Sequence, residues 1–296
     1  MAIPQLQDQI AAAQAYEDLF VPALFRQWAP LIAKVAHVGP GKRVLDVACG
    51  TGILVRELAA QVGPSGSVAG LDLLPGMLEV AKRIAPSIEW QQGTAECLPF
   101  PDQSFDVVVS QFGLMFFPDR TGSVREMLRV LAPGGHLAVA VWDSLDNIPA
   151  IADEVAVLER VAGRAAADAL RAPFVLGNGS ELERLARDAG VVEPRVNTSP
   201  GTARFPSIRT LVEADLRGWL PVMGVMLEEA TIQRVLEEAG RALRVYADAN
   251  GRAVFKISAH VLSGTRSYGV HTVSSNNGFQ RTVLALRVRP AAEPGR

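Results

Sequence analysis

Between residues 43 and 142, short apolar runs alternate with amphipathic stretches. Five runs predict strands, of which the third is the weakest: 44–47, 67–71, 87–90, 106–109 and 137–141. Such runs are typical of buried parallel strands. Helical spacing follows Pro75, which suits a first helical position, and precedes the turn Pro133-Gly134-Gly135. Strands and helices in this order predict right-handed crossovers and a doubly wound α/β sheet.

The pattern changes after residue 142. Residues 149–171 and 207–249 predict helices, and a capping box at Ser180–Glu183 predicts a short helix that Gly190 ends. Two further strands are predicted, at 191–198 and 254–261. We expect four segments, of which the second and third form one continuous domain: a helical cap segment at 1–39, a core at 40–142, the remaining sheet with a helical substrate cap at 143–264, and a polar, partly disordered tail at 265–296.

Composition excludes several classes of protein. The 296 residues carry 29 basic and 31 acidic side chains, a net charge of −2, which provides no electrostatic footprint for nucleic acid. Two cysteines, Cys49 and Cys97, suit a reducing compartment. No apolar run approaches the roughly 20 residues of a membrane span, and the first residues do not resemble a signal peptide. We therefore expect a soluble, cytoplasmic protein.

A small-residue turn follows the first predicted strand. Gly50 and Gly52 allow a ligand to approach the backbone closely, and helix-start amides near Ile53 point at whatever is bound there. Asp72 ends the second strand, 20 residues after Gly52, where an acid can accept both hydroxyls of a ribose. These features predict a cofactor that contains a nucleoside. Val55 stands where the third glycine of a dinucleotide loop is expected, which argues against NAD.

Five motifs in order resemble the class I S-adenosylmethionine-dependent methyltransferases, in particular the small-molecule, ubiquinone/menaquinone-type branch. They cover residues 40–142 closely and 180–264 loosely. The motifs are 46–52 (DVACGTG), 72–73 (DL), 93–100 (GTAECLPF), 104–108 (SFDVV) and 130–135 (VLAPGG). The resemblance implies a seven-stranded, mostly parallel Rossmann-like sheet with a helical cap inserted late in the chain, and S-adenosylmethionine as cofactor.

The resemblance also implies a set of cofactor-binding residues. Asp72 would bind the ribose and Leu73 would pack on the adenine. Thr94 replaces an aspartate that family members often place against the adenine amino group, so Thr94, Ala95 or Glu96 would share that contact. The full expected set is Asp46, Ala48, Gly50, Gly52, Asp72, Leu73, Met77, Thr94, Ala95, Glu96 and Gln111.

The acceptor is expected to lie beside the loop that follows the fourth strand. The predicted pocket is largely apolar: Tyr16, Phe112, Met115, Phe116, Trp142 and Met223. Methyl transfer is an in-line displacement that needs mainly positioning, and Tyr16 is the only candidate for a catalytic side chain. None of the four histidines falls at the carboxyl end of a core strand, and no His, Cys or acid spacing predicts a metal site.

Three functions therefore remain open. The first is methyl transfer from S-adenosylmethionine to a small molecule with an apolar part. The others are an NAD(P)-dependent oxidoreductase and a catalytically silent module that binds S-adenosylmethionine. We expect no nucleic-acid partner and no membrane span, and the sequence is compatible with an oligomer. It does not determine whether the methyl group goes to oxygen, carbon, nitrogen or sulfur.

Overall fold

The computed structural model describes residues 5–268, and its centre is one seven-stranded sheet. The strands lie in the order β3-β2-β1-β4-β5-β7-β6. Strand β7 runs in the opposite direction to the other six strands. The strands are β1 Arg43–Val47, β2 Ser67–Asp72, β3 Glu89–Gln92, β4 Phe105–Gln111, β5 Leu131–Trp142, β6 Val192–Phe205 and β7 Ala253–Thr265. The predicted doubly wound, mostly parallel sheet is confirmed.

Helices cover both faces of the sheet and its carboxyl edge. They are α1 Leu6–Ala15, α2 Ala29–Val35, α3 Ile53–Val62, α4 Pro75–Ile84, α5 Arg120–Val130, α6 Pro149–Ala162, α7 Arg164–Arg171, α8 Gly179–Ala189, α9 Ile208–Ala214, α10 Leu220–Val222 and α11 Glu229–Ala242. Two π-helical turns, Tyr16–Phe25 and Asp215–Trp219, extend α1 and α9. Pro75 occupies the first position of α4, as its sequence context predicts.

The core forms because the central strands are apolar on both faces. Val44, Leu45 and Val47 of β1 are fully buried, and so are 137–141 of β5. The register pairs Asp46 of β1 with Gly70 of β2 on one side and Val109 of β4 on the other. The carboxyl ends of β1, β2 and β4 therefore meet at one edge of the sheet, where ligands bind in open α/β sheets.

The last two strands are longer than the sequence pattern predicts. Trp142, the last residue of β5, pairs with Ala259, so residues 253–258 continue past the end of β5, and β6 is the strand beside them. The sequence predicts these strands at 191–198 and 254–261, which is shorter than β6 and β7, because only part of each strand alternates clearly between apolar and polar residues. The projecting ends of β6 and β7 have a buried face, which includes Phe205 and Phe255, and they extend beyond the carboxyl edge.

Three other details of the sequence analysis need correction. Asn178, not Ser180, caps α8, because its side chain accepts from the amides of Ser180 and Glu181. The helical region 149–171 is divided at Gly163, whose positive φ separates α6 from α7. Strand β7 ends at Thr265, one residue beyond the predicted domain boundary. The rest of the tail, 269–296, lies outside the described residues.

The N-terminal segment, predicted to be a helical cap, crosses the carboxyl edge. We call residues 6–28 the strap. Its α1 packs on α4 so closely that a Cβ at Gly76 would lie 2.5 Å from the backbone of Gln9. At its other end, Trp28 is buried against Gly201 of β6. The strap therefore spans the sheet from the β2 side to the β6 side.

Adding a methyl group at Gly201 tests this contact. A Cβ there would approach the Trp28 ring to 2.5 Å, so we expect Gly201→Ala to lower the free energy of unfolding by about 1–3 kcal/mol. In α11, a Cβ at Gly240 meets nothing within 4 Å, so Gly240→Ala should raise it by roughly 0.5–1 kcal/mol. Urea denaturation measures both. Equal effects of the two variants would contradict the packing described here.

Candidate functional site

The glycine turn after β1 adopts a backbone that few residue types tolerate. Ala48, Gly50 and Gly52 all have positive φ, at 60°, 55° and 85°. A Cβ at Gly50 would meet only the ring of Tyr16, at 3.9 Å or more, so space remains above this residue. Cys49 donates its amide to Leu71 of β2 over 3.0 Å, which ties the turn to the neighbouring strand.

Asp72 connects this turn to the loop after β2. Its Oδ2 accepts from the amide of Gly50 at 2.8 Å, and its Oδ1 accepts from the amide of Leu74 at 2.9 Å. Burial raises the pKa of Asp72, and the amide hydrogen bonds oppose that shift. The Leu73 amide also acts on this carboxylate, which has four lone pairs in all, so an acceptor position remains for a further donor such as a ribose hydroxyl.

Three of the predicted cofactor residues carry buried oxygen atoms without a hydrogen-bond partner among residues 5–268. These are both carboxylate oxygens of Asp46, the amide oxygen of Gln111 and one oxygen of Glu96. Burial raises the pKa of Asp46 well above its usual value, and the charge of Asp72 adds to the shift. Buried polar atoms normally have partners, so this edge is prepared for a ligand that donates hydrogen bonds or carries positive charge.

Gly52 has a packing role that the sequence analysis did not identify. A Cβ at this position would lie 2.4 Å from the ring of Trp90, and one at Gly70 would lie 2.5 Å from the same ring. The Trp90 indole also donates to the carbonyl of Ala85. Packing against Trp90 therefore requires glycine at position 52, independently of any ligand.

The strap is fastened to the glycine turn by one acidic side chain. Glu17 accepts from the hydroxyl of Thr51 at 2.5 Å and forms an ion pair with Arg56 at 2.7 Å. Arg56 donates in turn to the Thr51 carbonyl. These contacts place Tyr16 over Gly50. Burial and the charges of Asp72, Glu17 and Asp46 raise the pKa of Tyr16, so its hydroxyl keeps its proton.

An aromatic cluster lies at the carboxyl ends of β4 and β5. Phe112 stacks on Trp142 at 3.8 Å between ring centroids. Phe25 packs on both rings and reaches Tyr16 at 5.2 Å. The cluster thus continues from the glycine turn to the end of β5, and its members are Tyr16, Phe20, Phe25, Trp28, Phe112, Trp142, Phe174 and Phe205.

The remaining predicted residues lie in several environments. Leu73 is 57 % exposed, so its face is open for contact with a ligand, and Thr94 is exposed while Ala95 is buried. Met77 packs against α1. In the predicted acceptor pocket, Met115 is buried, whereas Phe116 is partly exposed and contacts Trp219. Trp219 belongs to the helical regions 149–174 and 208–246, which together we call the cap. Met223 packs against the main hydrophobic core from the cap side.

His260 lies in a hydrogen-bonded network away from the glycine turn. Its Nε2 is 3.2 Å from Asp143 and 3.0 Å from the Gly177 carbonyl, and its Nδ1 is 2.8 Å from the Thr198 hydroxyl. These contacts link β6, β7 and the loop before α8. Within residues 5–268, no three His, Cys, Asp or Glu side chains come together as metal ligands.

Sequence reasoning missed Glu17, Arg56 and Trp90. Glu17 and Arg56 are 39 residues apart, and nothing in the local pattern indicates that they meet. Trp90 lies in the weakest predicted strand, and only the pairing of β3 with β2 places its ring against Gly70. These three residues depend on long-range packing, which periodicity does not report.

Comparison with known proteins supports the same interpretation of this edge. Residues 44–135 match the family model described as a methyltransferase domain. Residues 44–135, which run from β1 to the start of β5, are thus similar to a methyltransferase domain. The match decides against the oxidoreductase interpretation and confirms the resemblance seen in the five motifs. The cofactor of such domains is S-adenosylmethionine, and the unpartnered oxygens of Asp46 and Gln111 fit a cationic, hydrogen-bond-donating ligand.

Relatives and solved structures extend the likeness beyond the matched region. Over 136 residues the chain is 43 % identical to a ubiquinone/menaquinone biosynthesis C-methyltransferase of Ectopseudomonas mendocina, covering 44 % of this chain and 53 % of that protein. The chain spans about half the length of the curated relatives it matches. The matched region is thus similar to enzymes of the ubiquinone/menaquinone type.

Two solved structures share the fold at low identity. One is provisionally named a methyltransferase of an antibiotic biosynthesis pathway in Anabaena variabilis; it is 18 % identical, with a TM-score of 0.60 over 82 % of this chain and 98 % of that one. The other, the YcgJ protein of Bacillus subtilis, is 21 % identical, with a TM-score of 0.54 over 82 % and 99 %. They confirm the Rossmann-like fold of the methyltransferase domain.

Removing the charge of Glu17 tests the fastening of the strap. Glu17→Gln loses the ion pair with Arg56, a partly buried contact that contributes about 1–2 kcal/mol, so local opening of residues 16–25 should become roughly 5- to 30-fold more frequent. Amide hydrogen exchange of this segment measures the change. Asp18→Asn on the exposed side of the strap is the control. If both variants exchange at the same rate, Glu17 does not fasten the strap.

Proposed function

We propose that this chain transfers a methyl group from S-adenosylmethionine to a small-molecule acceptor with an apolar part. The observation that carries the proposal is the set of buried, unpartnered oxygens on Asp46 and Gln111 beside the glycine turn of a methyltransferase domain. An aromatic cluster follows directly along the same edge of the sheet.

Residues of three strand ends would hold the cofactor. Asp72 would accept from the ribose hydroxyls with its remaining lone pairs, and Leu73 would offer its exposed side chain to the adenine. Thr94, Ala95 and Glu96 would share the adenine amino group. Asp46, Ala48, Gly50 and Gln111 would face the methionine portion. When bound, the sulfonium supplies an activated methyl group with a good leaving group.

The chain itself positions the two reactants and excludes water from the site. The strap covers the glycine turn through Tyr16, and the Phe112–Trp142 stack forms a rigid wall at the ends of β4 and β5. Holding two reactants in line can lower a barrier by roughly 7–11 kcal/mol. Tyr16 keeps its proton because burial and nearby acids raise its pKa, so it can donate a hydrogen bond but not act as a base.

The cluster also supports an acceptor with an apolar part. Phe112 and Trp142 are buried and aromatic, while Phe116 and Met223 connect this region to the cap. Aromatic side chains bind planar apolar groups over large areas. The curated relatives are named as C-methyltransferases of quinone biosynthesis, and a planar acceptor methylated at carbon is the first class to test.

We propose further that the protein acts in the cytoplasm, without nucleic acid as a partner, since its net charge is only −2. An oligomer is compatible with this function. Among residues 5–268, no helix combines the length and apolar content that crossing a bilayer requires.

A binding experiment followed by a transfer experiment tests the proposed function. Equilibrium dialysis should show binding of S-adenosylhomocysteine and none of NAD. Labelled S-adenosylmethionine incubated with the protein and a metabolite extract should then yield a labelled small molecule. Binding without any labelled product would support the silent module instead, and absence of binding would contradict both.

Asp72→Ala should weaken binding of S-adenosylhomocysteine. Hydrogen bonds to a charged group contribute roughly 1.5–3 kcal/mol, so we expect the dissociation constant to rise about 10- to 150-fold. Stability should also fall, because the amides of Gly50 and Leu74 lose their acceptor. Calorimetric titration measures the affinity, with Asp106→Ala as the control, since Asp106 pairs with Arg43 at the amino end of β1. An unchanged affinity would remove Asp72 from the site.

A further inference from the structure

Two carboxyl groups meet inside the helical cap, where neither the cofactor nor the acceptor site uses them. Glu154 of α6 is fully buried, and Asp215, the first residue of the second π-helical turn, is 6 % exposed. Both oxygens of Glu154 lack a hydrogen-bond donor among residues 5–268. The neighbouring polar group is the carboxyl of Asp215.

The surroundings of this pair are apolar. The other buried residues of the packed elements are hydrophobic: Ile151, Val155, Val157 and Leu158 on α6, Leu211, Val212 and Leu216 on the facing segment, and Val235 and Leu236 on α11. The effects that shift the pKa of Glu154 are its burial and its contact with Asp215, and those for Asp215 are its burial and its contact with Glu154.

The basic side chains of the same helices lie on the surface. Arg234 and Arg241 of α11 are exposed, and Arg234 donates to the Thr231 hydroxyl. The others pair with acids: Arg160 with Glu238, Arg164 with Asp168, Arg171 with Glu159 and Asp168, Arg209 with Glu213, and Arg217 with Glu213 and Glu229. The neighbour Asp153 accepts from the Tyr246 hydroxyl on the exposed side of α6. No cation among these neutralises the buried pair.

Two ionised carboxylates cannot remain in contact in such a place. An isolated buried charge is costly, and a second like charge beside it adds repulsion, so the pair keeps at least one proton and forms a hydrogen bond through it. Burial accordingly raises the pKa of Glu154 well above its usual value and that of Asp215 to about 7. The hydrogen bond between α6 and the π-helical turn exists only while the proton is present.

The Glu154–Asp215 pair lies between two parts of the cap, so its proton affects how those parts are held together. The π-helical turn that begins at Asp215 ends at Trp219, whose indole donates to Ala169 of α7 and whose ring contacts Phe116 after β4. Helix α6 follows the end of β5 through a single short turn. The pair therefore joins the two parts of the cap that flank the aromatic cluster.

We propose that Glu154 and Asp215 share one proton that locks α6 to the π-helical turn, and that loss of this proton loosens the cap. The direction follows from linkage. A group whose pKa is raised in the folded protein contributes stability that is complete below the pKa of the unfolded chain and is lost as the pH rises through the folded value. The lock should thus hold through about pH 7, where Asp215 gives up its own proton, and the cap should loosen only at higher pH, as Glu154 loses the shared proton. This proposal does not depend on the proposed function.

Amide hydrogen exchange at two pH values tests the lock. After correction for the intrinsic pH dependence of exchange, opening of residues 149–162 and 208–222 should increase at least about tenfold between about pH 6 and about pH 9 in the wild type. Glu154→Gln keeps one carboxylate and supplies a permanent donor, so this increase should disappear. Asp153→Asn, at the adjacent exposed position, should behave as the wild type.

A second measurement keeps the proposal testable if a variant fails to fold. Carbon-13 labelling of the side-chain carboxyls in the wild type should show the pair losing its last proton above neutral pH. Titration of both groups near their ordinary values, about 4, would overturn the proposal. So would a wild-type cap whose opening does not change with pH, or one whose pH dependence persists in both Glu154→Gln and Asp215→Asn.

Discussion

One buried carboxylate, that of Asp72, holds the functional edge of the sheet together. It accepts amide hydrogen bonds from the turn after β1 and from the loop after β2, which fixes two backbone segments relative to each other. The turn in turn fixes the strap, because Thr51 and Arg56 bind Glu17. A ligand at this edge therefore contacts a surface whose shape depends on Asp72. The strap covers that surface through Tyr16.

Much of the fold was predictable because the central strands are locally distinctive. Apolar runs such as 44–47 and 106–109, and the position of Pro75, report buried strands and a helix start directly. The glycine turn and Asp72 were recognised for the same reason: their spacing along the chain is part of the motif. Local sequence patterns do not predict features that depend on packing between distant segments. The lengths of β6 and β7 depend on pairing beyond β5, which the alternation of single strands does not show.

The site was predicted less completely, in two ways. Gly52 was expected to make room for a ligand, and the ring of Trp90, which the β2–β3 pairing brings over it, is a second reason for glycine that the sequence did not indicate. Residues of the strap, Glu17 above all, act only through contact with distant partners. The oxygens of Asp46 and Gln111 are buried without a hydrogen-bond partner, which supports the cofactor-binding roles that the family resemblance implied. Only the folded structure shows this burial.

The proposed function requires a ligand that lies across the ends of β1 and β2. A crystal structure of the protein with S-adenosylhomocysteine at saturating concentration tests it most directly. We expect the ribose hydroxyls within hydrogen-bond distance of the Asp72 carboxylate and the amino group of the ligand near Asp46. Density for the ligand at another place, or an empty edge under those conditions, would contradict the central claim.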